Sequence, residues 1–140
     1  MPNGFHSRSV ILNARDYDEA LEMLKTTEIN SQMYYILSGT EHNQGVVVTR
    51  TPLETIDVAT LGDDGKWYLV QTNSDRRELT GIYRVSTQNK IEALSKNPTY
   101  AEIIEVMSTP STKLKSTLST AVISAAGNGK FDTIVWYDGE

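Results

Sequence analysis

Residues Trp67–Arg77 read WYLVQTNSDRR. Trp67, Tyr68, Leu69 and Val70 are aromatic or aliphatic and favour β structure, and they give way at once to polar residues. Gln71, Thr72 and Asn73 follow, then Asp75, Arg76 and Arg77. The pattern predicts a strand that delivers an amide and a guanidinium at its end. Asn73 offers an NH2 donor and Arg76 a rigid fork of N–H donors, which suits a site where negative charge develops on an oxygen. The same residues also suit a buried strand running into an ordinary polar turn, because Asn, Ser and Asp are turn residues. Spacing alone leaves both readings open.

Upstream, short apolar runs alternate with turn signals. Thr55–Leu61 (TIDVATL) alternates Ile56 and Val58 on one face and is followed by Gly62-Asp63-Asp64-Gly65, a strong turn signal. Gly45–Arg50 (GVVVTR) and Met33–Ser38 (MYYILS) are two further strand candidates, joined across the polar loop Thr40–Gln44. With Trp67–Val70 as a fourth strand, these runs predict an antiparallel meander. Before them, Tyr17, Ala20, Leu21 and Leu24 recur at helical spacing, with acids at Asp16, Asp18 and Glu19 and Lys25 at the far end. That predicts an amphipathic helix over Asp16–Lys25. Met1–Ser7 reads as a polar lead-in, and the state of Ser9–Leu12 is left open between helix and strand.

Downstream of Arg77 the period lengthens. Ile82, Val85, Ile91 and Leu94 place one or two helical segments within Thr80–Leu94. Tyr100–Met107 is a stronger helix, opened by Asn97-Pro98-Thr99, with Thr99 and Glu102 at capping-box spacing and Pro110 closing the segment. Leu118–Ala125 and Phe131–Tyr137 are the last two strands, joined across Gly127-Asn128-Gly129. The expectation is a single α+β domain over residues 1–140, an antiparallel sheet with helices on one face.

Composition narrows the function. The chain has 140 residues, a formal net charge of −5 and no cysteine. The acidic balance argues against nucleic acid as a partner, and the missing thiols remove disulfides, thiolate metal sites and a cysteine nucleophile from these residues. No apolar run approaches the roughly 20 residues of a bilayer span, and MPNGFHSRSV lacks the apolar stretch of a secretory signal. The two histidines, His6 and His42, have no spacing for a shared metal, and His42 beside Glu41 reads as a solvated loop residue. Asp63 and Asp64 lack the alternating acids of a calcium loop, so neither a metal nor a cofactor is expected.

The ordered series YYILSGT, GVVVTR, the strand carrying Asp57, and WYLVQTN resembles the catalytic subunit of acid ceramidase and of N-acylethanolamine-hydrolysing acid amidase. The likeness runs upstream through Phe5, Arg8, Val10 and YDEALEML, and downstream through YAEIIEVMSTP and TLSTAVISAAGNGKFDTIVW, so it covers nearly the whole chain. It implies an N-terminal-nucleophile hydrolase with an αββα sandwich, of which this chain looks like the C-terminal half of the catalytic subunit. In that family an N-terminal cysteine, freed by self-cleavage, attacks the carbonyl of a lipid amide, with its own α-amine as base. The resemblance implies that Asn73 lines the oxyanion hole and that Arg76, in Asp75-Arg76-Arg77, supports the active site.

The chain departs from the family pattern in three ways. It has no cysteine, so the resemblance implies a nucleophile-bearing N-terminal segment or subunit as partner and a lipid amide as substrate, with this chain alone inactive. Only Ser74 separates Asn73 from Asp75, where the family has an aromatic-rich loop. The family is lysosomal and glycosylated, whereas this chain has no acceptable N-x-[ST] acceptor, Asn97 being followed by Pro98. The alternative is a non-catalytic, truncated relative acting as a folding, binding or oligomerisation module. Half of a layered sandwich leaves a sheet face open, so homo-oligomers, aggregation or binding of apolar dyes is expected of the chain alone.

Overall fold

The computed structural model describes residues 1–73, 82–110, 112–125 and 129–136, without the side chains of 82–84. It forms two compact units, Met1–Leu69 and Val70–Glu140, and the architecture is α+β.

The first unit holds helices α1 (Asn3–Asn13) and α2 (Tyr17–Thr26) and strands β1 (Met33–Ser38), β2 (Gly45–Arg50) and β3 (Thr55–Thr60). Helix α2 forms as its pattern predicts. The Asp16 carboxylate accepts from the Glu19 N–H at 2.9 Å, satisfying a first-turn donor, and Ala20 and Leu24 carry the buried stripe. The sheet is an antiparallel meander in the order β1-β2-β3. Registers Tyr35↔Val48 and Val48↔Val58 put these residues on one face. Tyr35, Val46 and Val48 there pack with Val10, Leu24 and Ile29. Val46 to Arg50 are all buried, as suits a central strand paired on both sides.

Arg50, only 1% exposed, is the largest side chain sealed in this unit. Its Nε donates to the Glu54 carbonyl at 3.1 Å, one terminal nitrogen to Thr27 O at 2.8 Å and the other to Leu24 O. The guanidinium thereby absorbs carbonyls from the C-terminal end of α2 and from the β2–β3 turn, groups that would otherwise be costly to bury.

The β1–β2 connection is six residues, Gly39–Gln44, one longer than the loop read from sequence. Asn43 takes a left-handed φ of 64° there, a conformation asparagine tolerates. Asp63 and Asp64 act as turn residues: Asp63 accepts from Thr60 N–H at 3.2 Å and Asp64 from Lys66 N–H at 3.1 Å. Positive φ at Gly62 (95°) and Gly65 (74°) explains the flanking glycines.

Two expectations are corrected. Residues 3–13 are helix throughout, not a lead-in. The pattern hides this because a histidine, His6, occupies the buried position four residues before Val10, while Phe5, Ile11 and Leu12 face solvent. Trp67–Val70 is not a fourth strand; it lies outside the three-stranded ladder. The run keeps the period of a strand, with Tyr68 and Val70 buried and Leu69 between them partly exposed. Propensity and alternation describe a fit to a half-buried surface and do not supply the ladder itself.

The second unit holds α3 (Ile82–Glu92), α4 (Tyr100–Ser108), β4 (Ser119–Ser124) and β5 (Lys130–Val135). The capping box at α4 is present as read: Thr99 Oγ1 accepts from Glu102 N–H at 3.3 Å and Glu102 Oε2 accepts from Thr99 N–H at 2.6 Å. Thr99→Ala should therefore lower stability by about 1 kcal/mol, measured as a shift in urea midpoint at unchanged slope. The β4–β5 hairpin pairs Ser119↔Val135 through Ser124↔Lys130. Residues 127 and 128 of the connecting turn lie outside the described residues, and Gly129 has φ 62°. The inner face is tied down by Trp136 Nε1 donating to Thr120 Oγ1 at 3.0 Å and by Tyr100 OH donating to Val122 O at 2.7 Å. On the opposite face Ile123 (68% exposed) sits across from Phe131 (71%), and Val135, at the other end of the ladder on that face, is also exposed.

Candidate functional site

The first unit closes on an aromatic run just ahead of the segment that leads to Asn73. Trp67 and Tyr68 meet edge to face at 5.5 Å, and the Lys66 ammonium donates to the Tyr68 hydroxyl at 3.1 Å. In the second unit the chain continues with Val70 buried, Gln71 and Thr72 half-buried and Asn73 exposed. The Gln71 side-chain amide donates to the Thr72 carbonyl at 2.7 Å, fixing the backbone one residue before Asn73. An exposed carboxamide at the end of a partly buried segment can present its NH2 outward to a substrate oxygen. Asp75, Arg76 and Arg77 lie outside the described residues, so Asn73 is the one proposed site residue whose position is described.

Other candidates resolve simply. His42 is exposed on its loop, as read. Among the described residues no group of three His, Cys, Asp or Glu side chains could hold a metal, and no helix is long and apolar enough to cross a membrane. An open groove of about 580 Å3 is lined by Val10, Ala14, Tyr17, Leu37, Gly39 and Glu41 among others.

Sequence reasoning passed over one buried polar cluster, in which His6 and Arg50 are each 1% exposed. Burial lowers the His6 pKa from its ordinary value; the Met23 carbonyl opposes this, while the Arg50 and N-terminal charges add to it. The available signals were the i, i+4 spacing of His6 and Val10 and an arginine ending the run VVVT.

No family model matches the chain. Acid ceramidase of Rattus norvegicus is 38% identical over 125 residues, covering 86% of this chain and 32% of that protein. Acid ceramidase of Homo sapiens is 33% identical over 135 residues, covering 93% of this chain and 34% of that protein. Among solved structures, a Caenorhabditis elegans N-acylethanolamine-hydrolyzing acid amidase ortholog matches with a TM-score of 0.73 at 27% identity, covering 94% of this chain and 53% of that one. The chain thus spans about a third of the length of the curated relatives it matches. An α+β fold of this likeness, with identity sustained along nearly all of its residues, places the chain in the acid ceramidase and N-acylethanolamine-hydrolysing acid amidase family of N-terminal-nucleophile hydrolases.

Proposed function

We propose that this chain is the C-terminal portion of a lipid-amide hydrolase of the ceramide or N-acylethanolamine type, and that residues 1–140 act as one domain of it. The observation that carries this reading is the ordered similarity to acid ceramidase over 86–93% of the chain. With no cysteine in its 140 residues, the chain takes its nucleophile from a partner segment or subunit of the same enzyme. The exposed Ile123–Phe131 face of the β4–β5 hairpin supports a partner that covers it. In the assembled enzyme the partner's nucleophile attacks the amide carbonyl and Asn73 donates to the oxygen as it becomes negative. Arg76 supports that site with its fixed positive charge. By family resemblance the enzyme works in the lysosome or secretory pathway.

The test is co-expression of the chain with a nucleophile-bearing segment from a family member, followed by rates on a ceramide, an N-acylethanolamine and a simple ester. Amide hydrolysis that requires both pieces is the expected result. A complex that forms and hydrolyses neither lipid amide would overturn the reading and leave a non-catalytic binding module.

A further inference from the structure

Helix α1 is held to its unit by few groups. Its buried residues are His6 and Val10, whereas Phe5, Ile11 and Leu12 are 70%, 80% and 69% exposed. Val10 sits in the apolar cluster with Leu24, Tyr35 and Val48. At its N-terminal end Asn3 Nδ2 donates to Ser31 O at 3.3 Å and to Ser31 Oγ at 2.9 Å; further along the helix, His6 makes the buried directional contacts. Its Nε2 lies 3.1 Å from the Met23 carbonyl at the end of α2, and its Nδ1 lies 2.9 Å from the Tyr35 hydroxyl on β1. A carbonyl oxygen can only accept, so Nε2 carries the hydrogen and Nδ1 is the lone pair that accepts from Tyr35. The two rings also meet edge to face, 5.3 Å between centroids at 82°.

This arrangement requires the neutral ring. From β2 the Arg50 guanidinium bears on His6, and from ahead of α1 the Met1 ammonium, both positive. Tyr35 presents a hydroxyl from β1, and α2 presents a carbonyl. Among the described residues the charges that act on the ring therefore both oppose a further positive charge.

We propose that His6 is a pH-gated latch: proton uptake from solvent at Nδ1 breaks the bond from Tyr35 and releases α1 from the first unit. Once Nδ1 carries a hydrogen, the Tyr35 hydroxyl can only accept from it, and its own hydrogen loses its acceptor in a buried place. The released helix uncovers Tyr35, Val46 and Val48 on the face it packs against.

The direction follows from linkage. Burial holds the folded-state pKa of His6 below its ordinary value, so the released state binds more protons. The closed state is fully favoured above about pH 6.5 and loses ground as pH falls below it, by up to about tenfold per pH unit, until the folded-state pKa is passed. The latch acts on the chain whether or not it takes part in hydrolysis, so it stands or falls apart from the proposed activity.

Amide hydrogen exchange on the 140-residue chain tests it, comparing residues 3–13 with α4 at about pH 7.5 and about pH 5 after correction for intrinsic rates. Protection of α1 relative to α4 should drop in the wild type, by up to about tenfold per pH unit below about pH 6.5, and stay level in His6→Leu. A level wild type, or the same drop in His6→Leu, would overturn the latch. Should His6→Leu not fold, imidazole resonances of the wild-type chain serve instead. His6 should titrate below about pH 6.5, with loss of α1 signals in step. Titration at or above that value, or α1 signals indifferent to it, would overturn the latch.

Discussion

In an enzyme assembled from this chain and its nucleophile-bearing partner, Asn73→Ala is expected to lower kcat about 100- to 1,000-fold while leaving KM within a few-fold. The asymmetry follows from the role proposed. An oxyanion donor bonds most strongly to the oxygen once it is charged, so its removal raises the barrier of the chemical step more than it weakens ground-state binding. Asn73 is exposed at the end of its segment, so truncation leaves no buried hole and the folded population should be unaffected. Asn73→Asp should be at least as damaging, because a carboxylate places negative charge where negative charge must grow. Steady-state rates at matched, folded concentrations measure the effect. A loss confined to KM, or of less than about threefold in kcat, would assign the oxyanion donor to another residue.

Arg50→Ala carries the largest stability effect, about 3 to 5 kcal/mol. The guanidinium is 1% exposed and donates to the carbonyls of Leu24, Thr27 and Glu54. Truncation leaves those acceptors without their donor and opens a cavity the width of an arginine side chain in the layer between α2 and the sheet. Because domains of this size are stable by only about 5 to 15 kcal/mol, the variant should be partly unfolded near room temperature. Arg50→Lys should recover only part of the loss, since one ammonium lacks the planar fork that serves separated carbonyls. Urea unfolding followed through the first unit measures both. A change below about 1 kcal/mol in Arg50→Ala would mean that water satisfies these carbonyls and the arginine is dispensable.

Elements with strong local instructions were legible in the sequence. Helix α2 announced itself by acids in its first turn and a periodic apolar stripe, α4 by its capping box, and β1, β2 and β3 by short apolar runs separated by turn residues. The features that escaped depend on what a residue meets in three dimensions. Helix α1 carries a histidine where an apolar residue would have marked its buried side, and Tyr35 and Met23, the partners that make that burial tolerable, lie 29 and 17 residues away. Arg50 looked like the polar end of a strand, yet its partners come from the close of α2 and the turn before β3. Trp67–Val70 shows the reverse case, in which a strand-like pattern produces alternating burial without joining the ladder.

Site chemistry was legible as residue type rather than as geometry. An asparagine at the end of an apolar run is a donor with a direction, and the structure places it exposed at the end of its segment. In the proposed function, what it donates to depends on a substrate and on a nucleophile that this cysteine-free chain takes from its partner. Local sequence therefore identified Asn73 as capable of the role, and similarity along the chain gave a reason to assign it.

The most direct test of this assignment is a structure of the assembled enzyme stalled as its acyl adduct with a slowly hydrolysed lipid amide. Asn73 Nδ2 is expected about 2.7 to 3.1 Å from the adduct's carbonyl oxygen. An adduct whose carbonyl oxygen is held by other donors, with Asn73 facing bulk solvent, would contradict it.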